Sequence, residues 1–94
     1  MQKVADDTIV RDANGTGLSG ICQVVIHNDN VNTFDHVITS LIAVFGHPLS
    51  MAKKITMEAH KKGKAIAEVE DYEKALMHKG LLAMKGLTAE VERI

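Results

Sequence analysis

The sequence has no Trp, one Tyr, two Phe, one Cys and one Pro in 94 residues. With aromatics at 3%, it lacks the ring platforms on which single-stranded nucleic acids stack, so its core must be built from Val, Ile, Leu, Ala and Met. Neither sign of charge is in excess. Eleven Lys and Arg stand against 12 Asp and Glu, a net charge of -1, which leaves no electrostatic footprint for nucleic acid. The short run Lys61, Lys62, Lys64 reads as cations complementing the dipole at a helix end. A lone Cys22 cannot close an intramolecular disulfide and fits a reducing compartment. No apolar run approaches the roughly 18 residues of a membrane span, and the first residues lack the apolar stretch of a signal peptide. The expectation is a soluble cytoplasmic protein, short enough for one compact domain and no second.

What is present is punctuated by turn residues. Residues 1–20 include the turn-rich stretch Asn14-Gly15-Thr16-Gly17-Leu18-Ser19-Gly20 and are expected to form a flexible extension, with residues 21–94 as the domain. Ile21 to His27 is rich in β-branched residues and too short for a helix, so it reads as a strand. Thr33 can cap a helix carrying Phe34, Val37, Ile38, Leu41, Ile42, Val44 and Phe45 at helical spacing, with Gly46 as its stop. Pro48 suits the first turn of a second helix, with Met51, Ala52, Ile55 and Ala59 as its apolar stripe and Gly63 as its end.

Lys64 to Glu70 reads as a strand with Ile66 and Val69 inward. Asp71 can cap a third helix carrying Ala75, Leu76, Leu82 and Met84 and stopping at Gly86, with Gly80 inside it costing about 1 kcal/mol relative to Ala. Leu87, Ala89 and Val91 then alternate with Thr88, Glu90 and Glu92 as a last strand. The order β, α, α, β, α, β implies an α+β fold: a three-stranded, mostly antiparallel sheet packed on three helices.

The first two helices are each about 20 Å long at 1.5 Å per residue, so an antiparallel hairpin returns the end of the second to the start of the first. His60 then lies near Asn28 and Asp29. An amide oxygen, a carboxylate and a neutral imidazole nitrogen are three acceptors, suited to a three-donor cation such as an ammonium group. Beside them, Phe34, Val37, Ile38 and Leu41 can face the smaller Thr56 and Ala59 across a recess. By spacing alone, an Asx turn before a helix and a His at a helix end also have purely structural uses.

The stretch Val25-Ile26-His27-Asn28-Asp29-Asn30, the helix end Val44-Phe45-Gly46 and the run Met57-Glu58-Ala59-His60-Lys61-Lys62-Gly63-Lys64-Ala65 resemble, in order and spacing, the ClpS adaptors of the bacterial and plastid Clp protease. The resemblance covers Cys22 to about Arg93. It implies a non-enzymatic adaptor without cofactor, bacterial and cytoplasmic or in the plastid stroma. Such a protein captures the free N-terminal residue of N-degron substrates, usually a bulky hydrophobic one (Phe, Tyr, Trp or Leu), and delivers them to a Clp AAA+ unfoldase of the ClpA or ClpC type. By the same resemblance, Asn28, Asp29 and His60 match the α-amino-binding residues, and Asn30, Asn32, Phe34, Val37, Leu41, Thr56 and Ala59 match positions in or near the side-chain pocket. Glu73 and His78 fall where the unfoldase docks.

The sequence departs from the usual family pattern at several of these places. Asn30 replaces an Asp, Asn32 a Thr, Thr33 a Pro, Phe34 a Met and His78 a Lys, while Glu68 replaces a Gly. Three rival readings stand beside the adaptor: a free-standing N-terminal binder without delivery, a metal-dependent hydrolase using His27, Asp29 and His60, and a structural docking domain. For the last, Met51, Met57, Met77 and Met84 would line interaction surfaces rather than the core in which such a stripe is first placed.

Overall fold

The computed structural model describes residues 20–94, so the expected extension lies, apart from Gly20, outside the described residues. Its six elements are β1 (Ile21–His27), α1 (Phe34–Phe45), α2 (Leu49–Lys62), β2 (Lys64–Asp71), α3 (Tyr72–Met84) and β3 (Ala89–Arg93). They form the expected α+β arrangement. Strand β1 is central in the order β2-β1-β3, and both pairings are antiparallel. Among the described residues, no helix is long and apolar enough to cross a membrane.

Local chemistry sets most boundaries. Thr33 accepts a hydrogen bond from the His36 amide and Asp71 from that of Lys74, each supplying a partner to an otherwise unpaired N–H in a first helical turn. Pro48 occupies the N-cap of α2 rather than a position inside the helix, with extended backbone and no side-chain cap. Helices α1 and α2 end at Gly46 and Gly63, whose φ angles of 73° and 92° are left-handed.

Packing follows from small residues. Cys22, Val24 and Ile26 on one face of β1 meet Leu41 of α1, Ala52, Ile55 and Ala59 of α2, and Ala75 and Leu82 of α3. The alanines let helix backbones approach the sheet closely, and no aromatic ring is among the buried residues of this core. Phe45 and Tyr72 only pack against its margin.

Three expectations are corrected by this packing. Ile66 and Val69 face outward, about half exposed, while Ala65 and Ala67 are buried. The register shows why: Val24 pairs with Glu68 and Val25 with Ile66, so Ala67 is an extra residue, a β-bulge. The bulge puts Ile66 and Val69 on one face, and that face is the one turned away from the helices. His47 Nε2 donates to the Ala67 carbonyl at 2.7 Å and so satisfies an oxygen of the bulged residue.

The methionine stripe is the second correction. Met51, Met57, Met77 and Met84 are all exposed, as is Leu76, because alanines fill the positions nearest the sheet. Leu41 is the third: it is completely buried in the core and forms no part of the recess wall. Accordingly, Leu41→Ala is expected to lower the unfolding free energy by about 2–5 kcal/mol. Denaturant titration checks this, and a loss below about 1 kcal/mol would contradict the core placement.

Candidate functional site

Strand β1 leaves the sheet between two carbonyl groups. The His27 amide donates to Thr88 and the Asn28 amide to Gly63, each at 2.9 Å. Gly63 ends α2, so this bond brings Asn28 beside the last turn of that helix, where His60 lies.

The next residues fold around Asp29. Its Oδ1 accepts the amides of Val31 and Asn32 at 2.9 and 2.8 Å, and its Oδ2 accepts Nδ2 of Asn32 at 2.9 Å. That amide nitrogen also donates to the Gly86 carbonyl at 3.0 Å. Both amide hydrogens of Asn32 are therefore used, one to hold the carboxylate and one to tie the loop to the turn between α3 and β3. A parallel tie runs from His36 Nε2 to the Lys85 carbonyl at 2.6 Å. The Asn32 backbone amide holds the Asp29 carboxyl below its ordinary range, aided by the Asn32 side chain, the Val31 amide and nearby His36, and opposed by partial burial.

Above this loop is a recess of about 140 Å³. Asn28, Asp29, Asn30, Asn32 and His60 supply its polar side, and Phe34, Val37, Thr56 and Ala59 supply its α1 and α2 walls. The Phe34 and His60 rings meet edge to face, with centroids 4.9 Å apart and planes at 71°. Ile26, His27 and Leu87 also line the recess and were not anticipated. Their signal was topological: the end of β1 and the segment leading into β3 had to be known as neighbours before either could be placed at the recess.

Other anticipated residues lie elsewhere. Glu73 is exposed on the first turn of α3. His78, on the same helix, has Nδ1 2.6 Å from Glu70 and its ring edge-on to Phe45 at 4.7 Å, a contact that leaves it half-buried. His27 reaches Glu90 at 3.1 Å. Among the described residues, no three His, Cys, Asp or Glu side chains are grouped as metal ligands, so His27, Asp29 and His60 do not assemble the triad of the hydrolase reading.

The family model described as ATP-dependent Clp protease adaptor protein ClpS matches residues 20–90. The chain belongs to the ClpS family. Among ClpS adapter proteins, it is 34% identical to that of Syntrophus aciditrophicus over 51 residues, covering 54% of this chain and 48% of the relative. It is 43% identical to that of Clostridium acetobutylicum over 51 residues, covering 54% and 50%. Against that of Synechococcus sp. it is 35% identical over 71 residues, covering 74% and 68%. The chain thus spans about half the length of the first two relatives. The solved structure of Agrobacterium tumefaciens ClpS2 bound to L-phenylalaninamide shares the fold, with a TM-score of 0.70 and 23% identity over 80% of this chain and 98% of that one.

The Asp29 network has a titration signature. Because its folded value is lowered, the stability it contributes is present above the unfolded value near 3.8 and is lost as pH falls through the folded value. Carboxyl-carbon NMR is expected to place the Asp29 midpoint below 3.8, and Asn32→Ala, which removes one donor, should move it upward. An unchanged midpoint in the variant would remove the Asn32 side chain, though not its backbone amide, from the network.

Proposed function

We propose that the recess captures the free N-terminal residue of a polypeptide and that the domain acts as a binding adaptor, not a catalyst, for a Clp AAA+ unfoldase. The observation that carries the reading is the convergence of Asn28, Asp29 and His60 on one side of a recess whose other side is mostly apolar. An α-amino group titrates near about 8 and is largely protonated at neutral pH, so it offers three hydrogens and a positive charge. Asn28 and a neutral His60 can each accept one hydrogen, and Asp29 supplies an ionised acceptor with Oδ2 carrying only one internal bond.

The side chain attached to that amine would enter between α1 and α2. There Val37, Ala59 and Leu87 present apolar surface, and Phe34 at the mouth can cover an incoming ring. A bulky hydrophobic first residue suits this lining, in keeping with the phenylalaninamide bound by ClpS2. Substitution of the usual Asp by Asn30 leaves the amine subsite with the single carboxylate of Asp29. Amine recognition therefore depends on one anion held by its loop.

Delivery to the unfoldase is the second half of the proposal and rests on family membership. Of the two anticipated contacts, Glu73 is exposed, whereas His78 is engaged by Glu70 and Phe45. The α3 contact to the unfoldase is accordingly assigned first to Glu73.

Blocking the amine tests capture. Acetylation removes the positive charge and two of the three hydrogens, and with them charge-assisted hydrogen bonds of about 1.5–3 kcal/mol each. In a fluorescence-anisotropy titration, N-acetylation of a Phe-initiated peptide is expected to weaken binding by at least about tenfold. Equal affinity for free and acetylated peptides would overturn the reading.

A further inference from the structure

Of the residues that α2 gives to the recess, Thr56 lies one helical turn before His60 and is only 4% exposed. Its hydroxyl donates to the Ala52 carbonyl one helical turn back, at 2.8 Å. A hydroxyl has one hydrogen and two acceptor lone pairs, so the hydrogen is spent within the helix. Among the described residues, no group donates a hydrogen bond to the Thr56 oxygen. Thr56, a lining residue, therefore keeps an acceptor lone pair that no described group occupies.

Its position relative to the amine subsite follows from the helix. Thr56 and His60 are four residues apart on α2, so their side chains share a face, separated by about 6 Å along the axis. A ligand anchored by its amine at His60 meets the Thr56 oxygen about one helical turn further in. Leu and Phe bring no donor to that depth. A phenol hydroxyl sits at the end of the ring furthest from the α-carbon and brings one.

Resting on the reading of the recess as an N-terminal-residue site, we infer that Thr56 is a specificity determinant: its oxygen accepts a hydrogen bond from the hydroxyl of an N-terminal Tyr, so the site prefers Tyr to Phe. The two ligands differ by that hydroxyl alone, so the preference measures the bond. A net gain from one buried hydrogen bond corresponds to about threefold to tenfold in affinity. Replacing the acceptor by a methyl would instead leave the ligand hydroxyl buried without a partner.

The test uses the 94-residue chain and peptides identical except for a first residue of Tyr, Phe or Trp, each free and N-acetylated. The expected result is about threefold to tenfold tighter binding of Tyr than Phe by the unaltered protein. Thr56→Val, which keeps the side-chain shape, should reverse that order, and Thr56→Ser, which keeps the hydroxyl, should retain it. Equal Tyr and Phe affinities, or an unchanged ratio in Thr56→Val, would overturn the role of Thr56 while free-over-acetylated discrimination left amine capture standing. A Thr56→Val effect confined to Trp would also overturn the assignment to Tyr. If the free peptides bind no better than the acetylated ones, both readings fall together.

Discussion

The exit of β1 between the carbonyls of Gly63 and Thr88 is the constraint on which the site depends. These are ordinary backbone hydrogen bonds, each contributing about 0.5–1.5 kcal/mol net. Their importance is positional. The bond to Gly63 brings the loop that carries Asn28 and Asp29 beside the last turn of α2, and the bond to Thr88 brings the start of β3 to the same place. Gly63 serves twice: its left-handed φ of 92° ends the helix, and its carbonyl receives the loop. The position of Asn28 and Asp29 at the recess is therefore set by backbone geometry before any side chain there is chosen.

The second constraint is size. A core built on Ala52, Ala59, Ala65, Ala67 and Ala75 brings helices and sheet together through backbone proximity rather than through interlocking large side chains. Ala59 belongs to this core and also lines the recess, where with Thr56 it leaves space opposite Phe34 and Val37 of α1. The scarcity of aromatics acquires a physical meaning here. A recess walled in part by Val, Ala, Thr and Leu can receive a ring that the core itself does not contain, with Phe34 beside it.

Elements with local chemical boundaries were legible in the sequence. Thr33, Gly46, Gly63 and Asp71 each act within a turn of their own position, so α1, the end of α2 and the start of α3 could be read directly. The convergence of Asn28 with His60 was legible as well, because a short hairpin of two similar helices has one antiparallel return. The bulge at Ala67 was not, since an extra residue is defined only by the partner strand. Leu41 was misplaced for a related reason: helical spacing assigns it a face, but whether that face meets the sheet or the recess depends on the angle between helices. Asn32 was matched to the pocket through family resemblance, while its bond to Gly86 spans 54 positions and has no local signature.

Asn32 also shows why a loop can serve as a binding surface without being loose. An ammonium ligand gains from a charged acceptor only what remains after the acceptor has been ordered, and ordering a free loop consumes part of that gain. Here the carboxylate is already held by two amides and a side chain, and the side chain that holds it is fixed to Gly86 on a different turn. Those same donors favour the ionised form, so one set of contacts orients the carboxylate and lowers its pKa. A carboxylate with saturated bonding would offer a ligand little. Because Oδ2 accepts a single internal bond, Asp29 keeps acceptor capacity beyond its own network while its carboxylate is held by the loop.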